Sequence, residues 1–435
     1  MSAAPMDGLS LSDEASLSQL RQRLQRDVNC LSDPDRSTRK RALTKLQKDL
    51  FREAKIPAAI LRAFLSRFLS ERLVGMLADP VEKCRETAGG LLLEFVATVG
   101  DDSLSDTTAL AKQVFSMSEA RIGIIPLVEP AEEVRAQLLR LCNAVLRGKA
   151  AETFGCEIAG EACGVLSAAL TDTFPEAKHE CCSLLLRLAA VCPESLRSRL
   201  GKVLRPLVMN LGHQHFRTRQ MTLQALGALL LCGSDDLDKP LRELVLPQLR
   251  KLVYDRTVSV RRELASVITS LVEAGFPQAN EDNDDNNDNN GGGHPPPGAA
   301  AVERQGQGRS KKYLKYLEPY RPELVSLLMM LLADESEAVC GEAGRLLERL
   351  GEAWARSSDE AAEAAASTAA ATTERQQQQQ QQQPHSQQHC SPPPLFLHHR
   401  TAPPSLTRKK RLKRPKRLQK RRRRREPSAP RCSPS

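Results

Sequence analysis

Seven times along the chain an apolar run stops at a polar turn, and six residues after the first marked position of that turn a second one follows. The pairs are Asp33 and Arg39, Asp79 and Arg85, Glu129 and Arg135, Asp172 and Lys178, His213 and Arg219, Asp255 and Arg261, and finally Asp334 with Cys340 in the basic place. In the first three a proline follows the acid directly. Successive turns lie 46, 50, 43, 41, 42 and 79 residues apart. A unit of this size recurring along a chain constrains the fold strongly, because one such unit cannot bury its apolar face alone and must stack on its neighbours.

Each unit reads as two helices. In the sixth, Leu241, Leu244, Val245, Leu249 and Leu252 give Pro240–Val253 a helical stripe, and Val260, Leu264, Val267, Ile268 and Leu271 do the same for Val260–Val272. The fifth repeats this over Leu196–Leu211 and Arg217–Leu231, and the first over Leu17–Leu31 and Ser37–Leu50. No segment shows strand alternation. Two helices per period in the low forties is the HEAT and armadillo signature. The expected fold is therefore all-α, a HEAT-repeat α-solenoid of about seven helix pairs. Residues 15–276 hold six repeats and residues 311–356 the seventh. The long last step comes from residues 277–310, an Asn/Asp/Gly/Pro-rich insert whose apolar content is too low to offset ordering entropy, so disorder is expected there. The same expectation holds for residues 357–435, which run from an Ala-rich stretch through a polyglutamine tract to a basic tail.

Aromatic residues are only 3% of the chain, which argues against a β-sandwich or a base-stacking surface. Residues 400–435 hold 16 Lys+Arg and one acid, so a chain of net charge +10 carries −5 in its first 399 residues. The basic cluster at 408–425 is the one place where nonspecific, salt-dependent nucleic-acid contact or a nuclear localisation signal is expected, and the body is not a nucleic-acid-binding surface. Exposed positions on the second helices, Arg36, Lys40, Glu86, Arg217 and Arg262, give the mixed charge that suits protein partners.

The spacing of the turn residues has a physical reading. An Asp followed by Pro, as at Asp33-Pro34 and Asp79-Pro80, fits an N-cap with proline at the helix start. A basic residue six positions on stands about 240° round the helix, at about 100° per residue, too far round for an intrahelical bridge. It is placed to reach the acid of a neighbouring repeat, which would make a ladder along the stack.

The chain offers no Gly-rich phosphate loop, no Gly-x-Ser-x-Gly elbow and no His-Glu-x-x-His helix, so no catalytic, cofactor-binding or metal-ligating residue is expected, and no cofactor. His213 and His215 lack a third ligand. The Asp-rich insert lacks the spaced ligands, central Gly and terminal Glu of a calcium loop. Cys181 and Cys182, beside Lys178 and His179, raise a reactive thiol as an alternative, although Cys181 is in core phase. The 12 cysteines form no Cys-x-x-Cys pair and are expected reduced. With no signal-peptide pattern and no apolar run of membrane length, a cytoplasmic protein that does not enter a membrane is expected, with a possible nuclear pool through the tail.

One block carries a resemblance. Leu204-Arg-Pro-Leu-Val208, Gly212-His-Gln-His-Phe-Arg-Thr-Arg219, Ala225-Leu-Gly-Ala228 and Val258-Ser-Val-Arg-Arg262 resemble the HEAT-repeat family of dynein axonemal assembly factors, with likeness extending over roughly residues 15–276 and 313–356. His213 stands where the acid normally sits, and the His-Gln-His-aromatic-basic turn looks like the family's own. The resemblance implies a non-catalytic cytoplasmic scaffold for preassembly of outer and inner dynein arms of motile cilia. It implies as partners axonemal dynein heavy and intermediate chains, heat-shock chaperones and other assembly factors. It also implies further repeats in longer members beyond Trp354, where this chain turns to low complexity; a truncated form is the corresponding expectation. A nuclear or RNA-associated adaptor using the basic tail is the alternative. Tubulin binding, as in other HEAT-type arrays, would call for exposed aromatic–basic turns, and none is expected here.

Overall fold

A computed structural model describes residues 9–53, 55–99, 104–233, 237–274, 315–356 and 358. All fall in one compact unit, residues 1–369. The insert at 277–310 and the polyglutamine and basic segments of the tail lie outside the described residues.

The described secondary structure is entirely helical. The first repeat is α1 (Leu11–Cys30) and α2 (Arg36–Gln47), the latter continuing through one π-helical turn, Lys48–Arg52. α1 starts on a capping box: the Ser10 hydroxyl accepts from the Asp13 N–H, and the Asp13 carboxylate accepts from the Ser10 N–H. Its Leu17, Leu20, Leu24 and Val28, spaced three and four apart, form one buried stripe. The second repeat is α3 (Ala58–Phe64) and α4 (Ser70–Gly75), bridged by a π-helical turn at Leu65–Leu69, then α5 (Glu82–Val99). The third is α6 (Leu104–Ile122) and α7 (Glu132–Val145), the fourth α8 (Gly148–Ala169) and α9 (Pro175–Val191). In the fifth, short α10 (Pro193–Arg197) leads into α11 (Leu200–Met209), followed by α12 (Phe216–Cys232). The sixth runs through α13 (Asp238–Pro240), a π-helical turn at Leu241–Val245 and α14 (Leu246–Leu252) to α15 (Val258–Glu273). The seventh has a 3₁₀ segment Lys315–Tyr320, the helix Arg321–Leu331 and a last helix over 337–356.

These helices form two layers. The second helices stack on one another in chain order, α2 on α5, α5 on α7, α7 on α9, α9 on α12 and α12 on α15. The first helices do likewise, α1 on α3, α4 on α6, α6 on α8 and α8 on α11, and each pair also packs within its own repeat. One unbroken set of buried side chains runs between the layers from Leu17 to Leu350. The architecture expected from the sequence is the one observed. Because each repeat finds its core partners mainly in itself and its two neighbours, truncating a spine leucine such as Leu226 or Leu264 is a local cavity costing about 2–5 kcal/mol. α12 and α15 come close at Gly227, where an added Cβ would lie 3.0 Å from Val267 Cγ1. α12 ends at Gly233, whose φ of 75° belongs to the left-handed region that glycine enters without strain.

The capping expectation is corrected. The N-cap of α2 is Asp35, whose carboxylate accepts from the Thr38 N–H; Asp33 lies two residues earlier. α5 likewise begins at Glu82, three residues after Asp79, so neither Asp–Pro pair is a cap with proline at the helix start. The turns are longer than a minimal cap because the acids have another task.

Candidate functional site

That task is visible at the six turns that carry an acid between the two helices of a repeat. The acid folds over its own turn and accepts the backbone N–H two residues on: Asp79 from Val81 at 2.8 Å, Glu129 from Ala131 at 3.1 Å, Asp172 from Phe174 at 3.0 Å, Asp255 from Thr257 at 2.9 Å, Asp334 from Ser336 at 2.8 Å. Asp33 makes the same local bond, accepting from the Asp35 N–H at 2.8 Å. The arginine six positions on folds one arm back onto the carbonyls that the turn leaves open. Arg39 Nη1 donates to the Asp33 and Pro34 oxygens, Arg135 Nη1 to those of Glu129 and Pro130, and Arg219 Nη1 to those of His213 and Gln214.

The remaining nitrogens reach the next repeat. Arg39 Nε and Nη2 fork onto Asp79 at 2.6 and 3.1 Å, Arg135 onto Asp172 at 2.6 and 2.8 Å, Arg219 onto Asp255 at 2.6 and 2.7 Å, and Arg261 onto Asp334 at 2.6 and 2.9 Å. Glu129, one methylene longer, takes Arg85 Nη2 on one oxygen at 2.7 Å and Arg121 Nη2 on the other at 2.5 Å. These groups are almost shut off from water; both side chains of the Arg219–Asp255 pair are under 8% exposed. Burial pushes the Asp172, Asp255, Asp334 and Glu129 carboxyls up, but the guanidinium bonds and the turn N–H outweigh it and hold all four below the usual carboxylate range. Desolvation offsets much of what such pairs gain, while an unpaired survivor is strongly penalised.

One rung differs. His213 occupies an acid's place and does the local half of its work, its Nδ1 accepting the His215 N–H at 3.2 Å. It does not receive the fourth repeat's cation: Lys178 Nζ donates instead to Asn210 Oδ1 at 2.7 Å, and Asn210 Nδ2 donates to the Leu170 carbonyl at 2.9 Å. Burial drives the Lys178 ammonium below the usual lysine range. His179 Nε2 meets Thr218 Oγ1 at 3.0 Å across the same junction, and burial lowers both His179 and His213 from the usual imidazole value. Asn210 was not among the residues expected in the ladder; the signal available was an amide closing an otherwise apolar helix end, Leu207-Val208-Met209-Asn210-Leu211. Cys340 ends the series, its Sγ directed at the Glu337 carbonyl at 3.5 Å.

The rest of the described surface offers little for chemistry. No group of three His, Cys, Asp or Glu side chains that could hold a metal is found among the described residues. An open groove of about 420 Å³ between α4 and α6 is lined by Glu71, Val74, Gln113, Ser116 and Met117, a single carboxylate among neutral groups. Cys181 and Cys182 are buried, and burial pushes Cys182 up to about 12 and Cys181 well above the usual thiol value, the opposite of a reactive thiolate. No described helix is long and apolar enough to cross a membrane. Of the second-helix residues expected to be exposed, Arg36, Lys40, Arg217 and Arg262 are, and Glu86 is half-buried. The expected lack of exposed aromatic–basic turns is overturned at the fifth and sixth repeats, where Phe216 and Tyr254 stand in solvent beside Arg217 and Arg256.

Comparison with known proteins agrees with this arrangement. A family described as dynein axonemal assembly factor 5-like, TPR repeats, matches residues 30–273. The turn spacing in the forties is that of HEAT-type pairs; TPR units recur at about 34 residues. Dynein axonemal assembly factor 5 of Mus musculus is 31% identical over 276 residues, covering 62% of this chain and 30% of that protein. The Xenopus laevis protein of the same name is 27% identical over 263 residues, 59% of this chain and 29% of that one. The chain thus spans about 30% of the length of the curated relatives it matches. Among solved structures, a designed armadillo repeat protein aligns at 19% identity with a TM-score of 0.43, over 57% of this chain and 99% of its own.

Proposed function

The chain belongs to the dynein axonemal assembly factor 5-like family, and we propose that it is a non-catalytic scaffold in the cytoplasmic preassembly of outer and inner dynein arms for motile cilia. The observation that carries this reading is the unbroken two-layer stack in the region that the family shares, residues 30–273. In such a stack each repeat is tied to the next by packing and by a buried rung, and it presents a long surface rather than a pocket. A surface of that kind suits large partners whose own interfaces are not yet formed. Axonemal dynein heavy and intermediate chains are the proposed clients, with heat-shock chaperones and other assembly factors acting beside the scaffold. The cytoplasm is the proposed compartment.

The test is removal of the gene in motile-ciliated cells, followed by sedimentation of cytoplasmic extracts probed for heavy and intermediate chains. The expected outcome is loss of the co-sedimenting heavy-chain–intermediate-chain complex and of dynein arms from axonemes, both restored by re-expression. Unchanged cytoplasmic complexes and intact arms would overturn the proposal.

A further inference from the structure

Eleven large apolar side chains are exposed among the described residues, and seven of them stand at the turns between paired helices: three in the third repeat, Phe216 in the fifth, Tyr254 and Val258 in the sixth and Leu332 in the seventh. The fifth and sixth turns are side by side. Arg256 Nη2 donates to the Gln214 carbonyl at 3.2 Å, Arg219 Nη2 to Thr257 Oγ1 at 3.3 Å, and α12 packs along α15. Phe216 and Val258 are the first residues of those two helices, 41% and 37% exposed, and Tyr254, just before the ladder acid, is 76% exposed. The corresponding first helical residues of the third and seventh repeats are Glu132 and Glu337.

Charge singles out the same two turns. His215, Arg217 and Arg256 are all exposed, and the Arg217 guanidinium lies 5.9 Å from the Phe216 ring centre. Within the described residues of these two turns no free carboxylate offsets them: His213 replaces one acid, and Asp255 is buried in its pair with Arg219. The flanking turns are acidic, with exposed Glu176 in the fourth repeat and Glu335 and Glu337 in the seventh. An apolar, cationic patch is thereby bounded by carboxylates on both sides along the stack. Aromatic and arginine side chains are what binding hot spots use, and guanidinium groups pair best with carboxylates.

We propose that the turn edge of the fifth and sixth repeats docks an acidic segment of a partner protein that carries an aromatic or large apolar anchor between its carboxylates. This deepens the scaffold reading by naming where a client is gripped. The anchor packs among Phe216, Tyr254 and Val258, and the carboxylates meet Arg217, Arg256 and His215. The bounding glutamates repel a longer acidic run and so set its register.

The test uses the full chain and a labelled peptide of alternating Glu and Phe, with a photo-crosslinking group at its centre. Expected results are crosslinks mapped to 213–217 and 254–258, and affinity at least about tenfold weaker in F216S/Y254S and in R217E/R256E. Leu11→Ser, on an exposed apolar residue elsewhere, leaves affinity unchanged. Far-ultraviolet circular dichroism verifies helicity; should the arginine pair unfold, the aromatic pair decides. Three results overturn the proposal: equal binding by all variants, crosslinks confined to the basic cluster at 408–425, or equal binding of a Lys/Phe peptide. Failure here leaves the dynein-arm assay in cells unaffected, and intact arms in that assay would leave the peptide contact standing.

Discussion

Between the fifth and sixth repeats a guanidinium grips a carboxylate through two bonds of 2.6 and 2.7 Å; between the fourth and fifth an ammonium meets a neutral amide through one bond of 2.7 Å. The helices on either side pack alike, α9 on α12 as α12 on α15. The fold therefore does not require charge on both sides of a rung. What this junction supplies is a partner for each buried polar head, and Asn210 satisfies two at once, Lys178 and the Leu170 carbonyl. The difference lies in what happens when one partner is removed.

The largest expected effect is at the charged rung. Arg219→Met leaves the Asp255 carboxylate buried without a cation and opens the His213 carbonyl, and stability should fall by about 3–5 kcal/mol. In R219M/D255L most of that loss should return, because the pair contributes little beyond registry. Urea unfolding followed by circular dichroism checks both; a double variant as weak as the single would mean that the rung itself is strongly stabilising. Lys178→Met should cost less, no more than about 2 kcal/mol, since it orphans one neutral oxygen while relieving a desolvated ammonium. Equal losses at Arg219 and Lys178 would break the comparison.

Much of this was legible in the sequence because periodicity reports packing directly. Leu241, Leu244, Val245, Leu249 and Leu252 could be placed on one face without any knowledge of the neighbour they face. The spacing of six between acid and base likewise excluded a bridge within one helix. What sequence could not supply was the start of the second helix. Asp33-Pro34 looks like a cap, but Asp35 serves as one, and Arg39 bonds the Asp33 carbonyl across the longer turn. Nor does an isolated amide such as Asn210 announce that it replaces a carboxylate three positions further on. The patch at Phe216 and Tyr254 was hidden for a similar reason. Pattern distinguishes an apolar residue in phase with the core from one out of phase, but not which out-of-phase residues share an edge.

Cysteine labelling sharpens the contrast by a kinetic measure. Cys156 is exposed and should react with a maleimide in the native state, whereas Cys181 and Cys182, buried at the α9 layer, should react only at the rate at which the fourth repeat opens. Lys178→Met should raise that rate less than Arg135→Met does, since Arg135 holds the Asp172 carboxylate at the entrance of the fourth repeat's second helix through two bonds and Lys178 makes one bond to a neutral amide. Native-state labelling of Cys182 as fast as that of Cys156 would instead revive a reactive-thiol role.

The smallest effect is a dependence on pH that separates the two kinds of rung. Asp172, Asp255, Asp334 and Glu129 titrate below their unfolded values in the fold, so their contribution is complete above an unfolded value of about 4 and is lost as pH falls through the folded values. His179 and His213 are also lowered, by burial first, with Lys178 and His215 adding to the effect at His213. For a base the sign works as follows: below about 6.5 the unfolded chain takes up protons before the fold does, so stability declines with falling pH while the carboxylate rungs are still fully charged. Among the described residues a shallow loss between neutral pH and the carboxylate range is expected from His179 and His213 at the fourth-to-fifth junction. His213→Asp should remove part of it and place a carboxylate within reach of Lys178, raising stability at neutral pH by about 1 kcal/mol. The restored rung should then fail only in the acid range, as its neighbours do. A midpoint-versus-pH series on both proteins decides this. Parallel curves would mean that the histidines do not sense the junction, and that the neutral rung is as indifferent to protons as the amide at its centre.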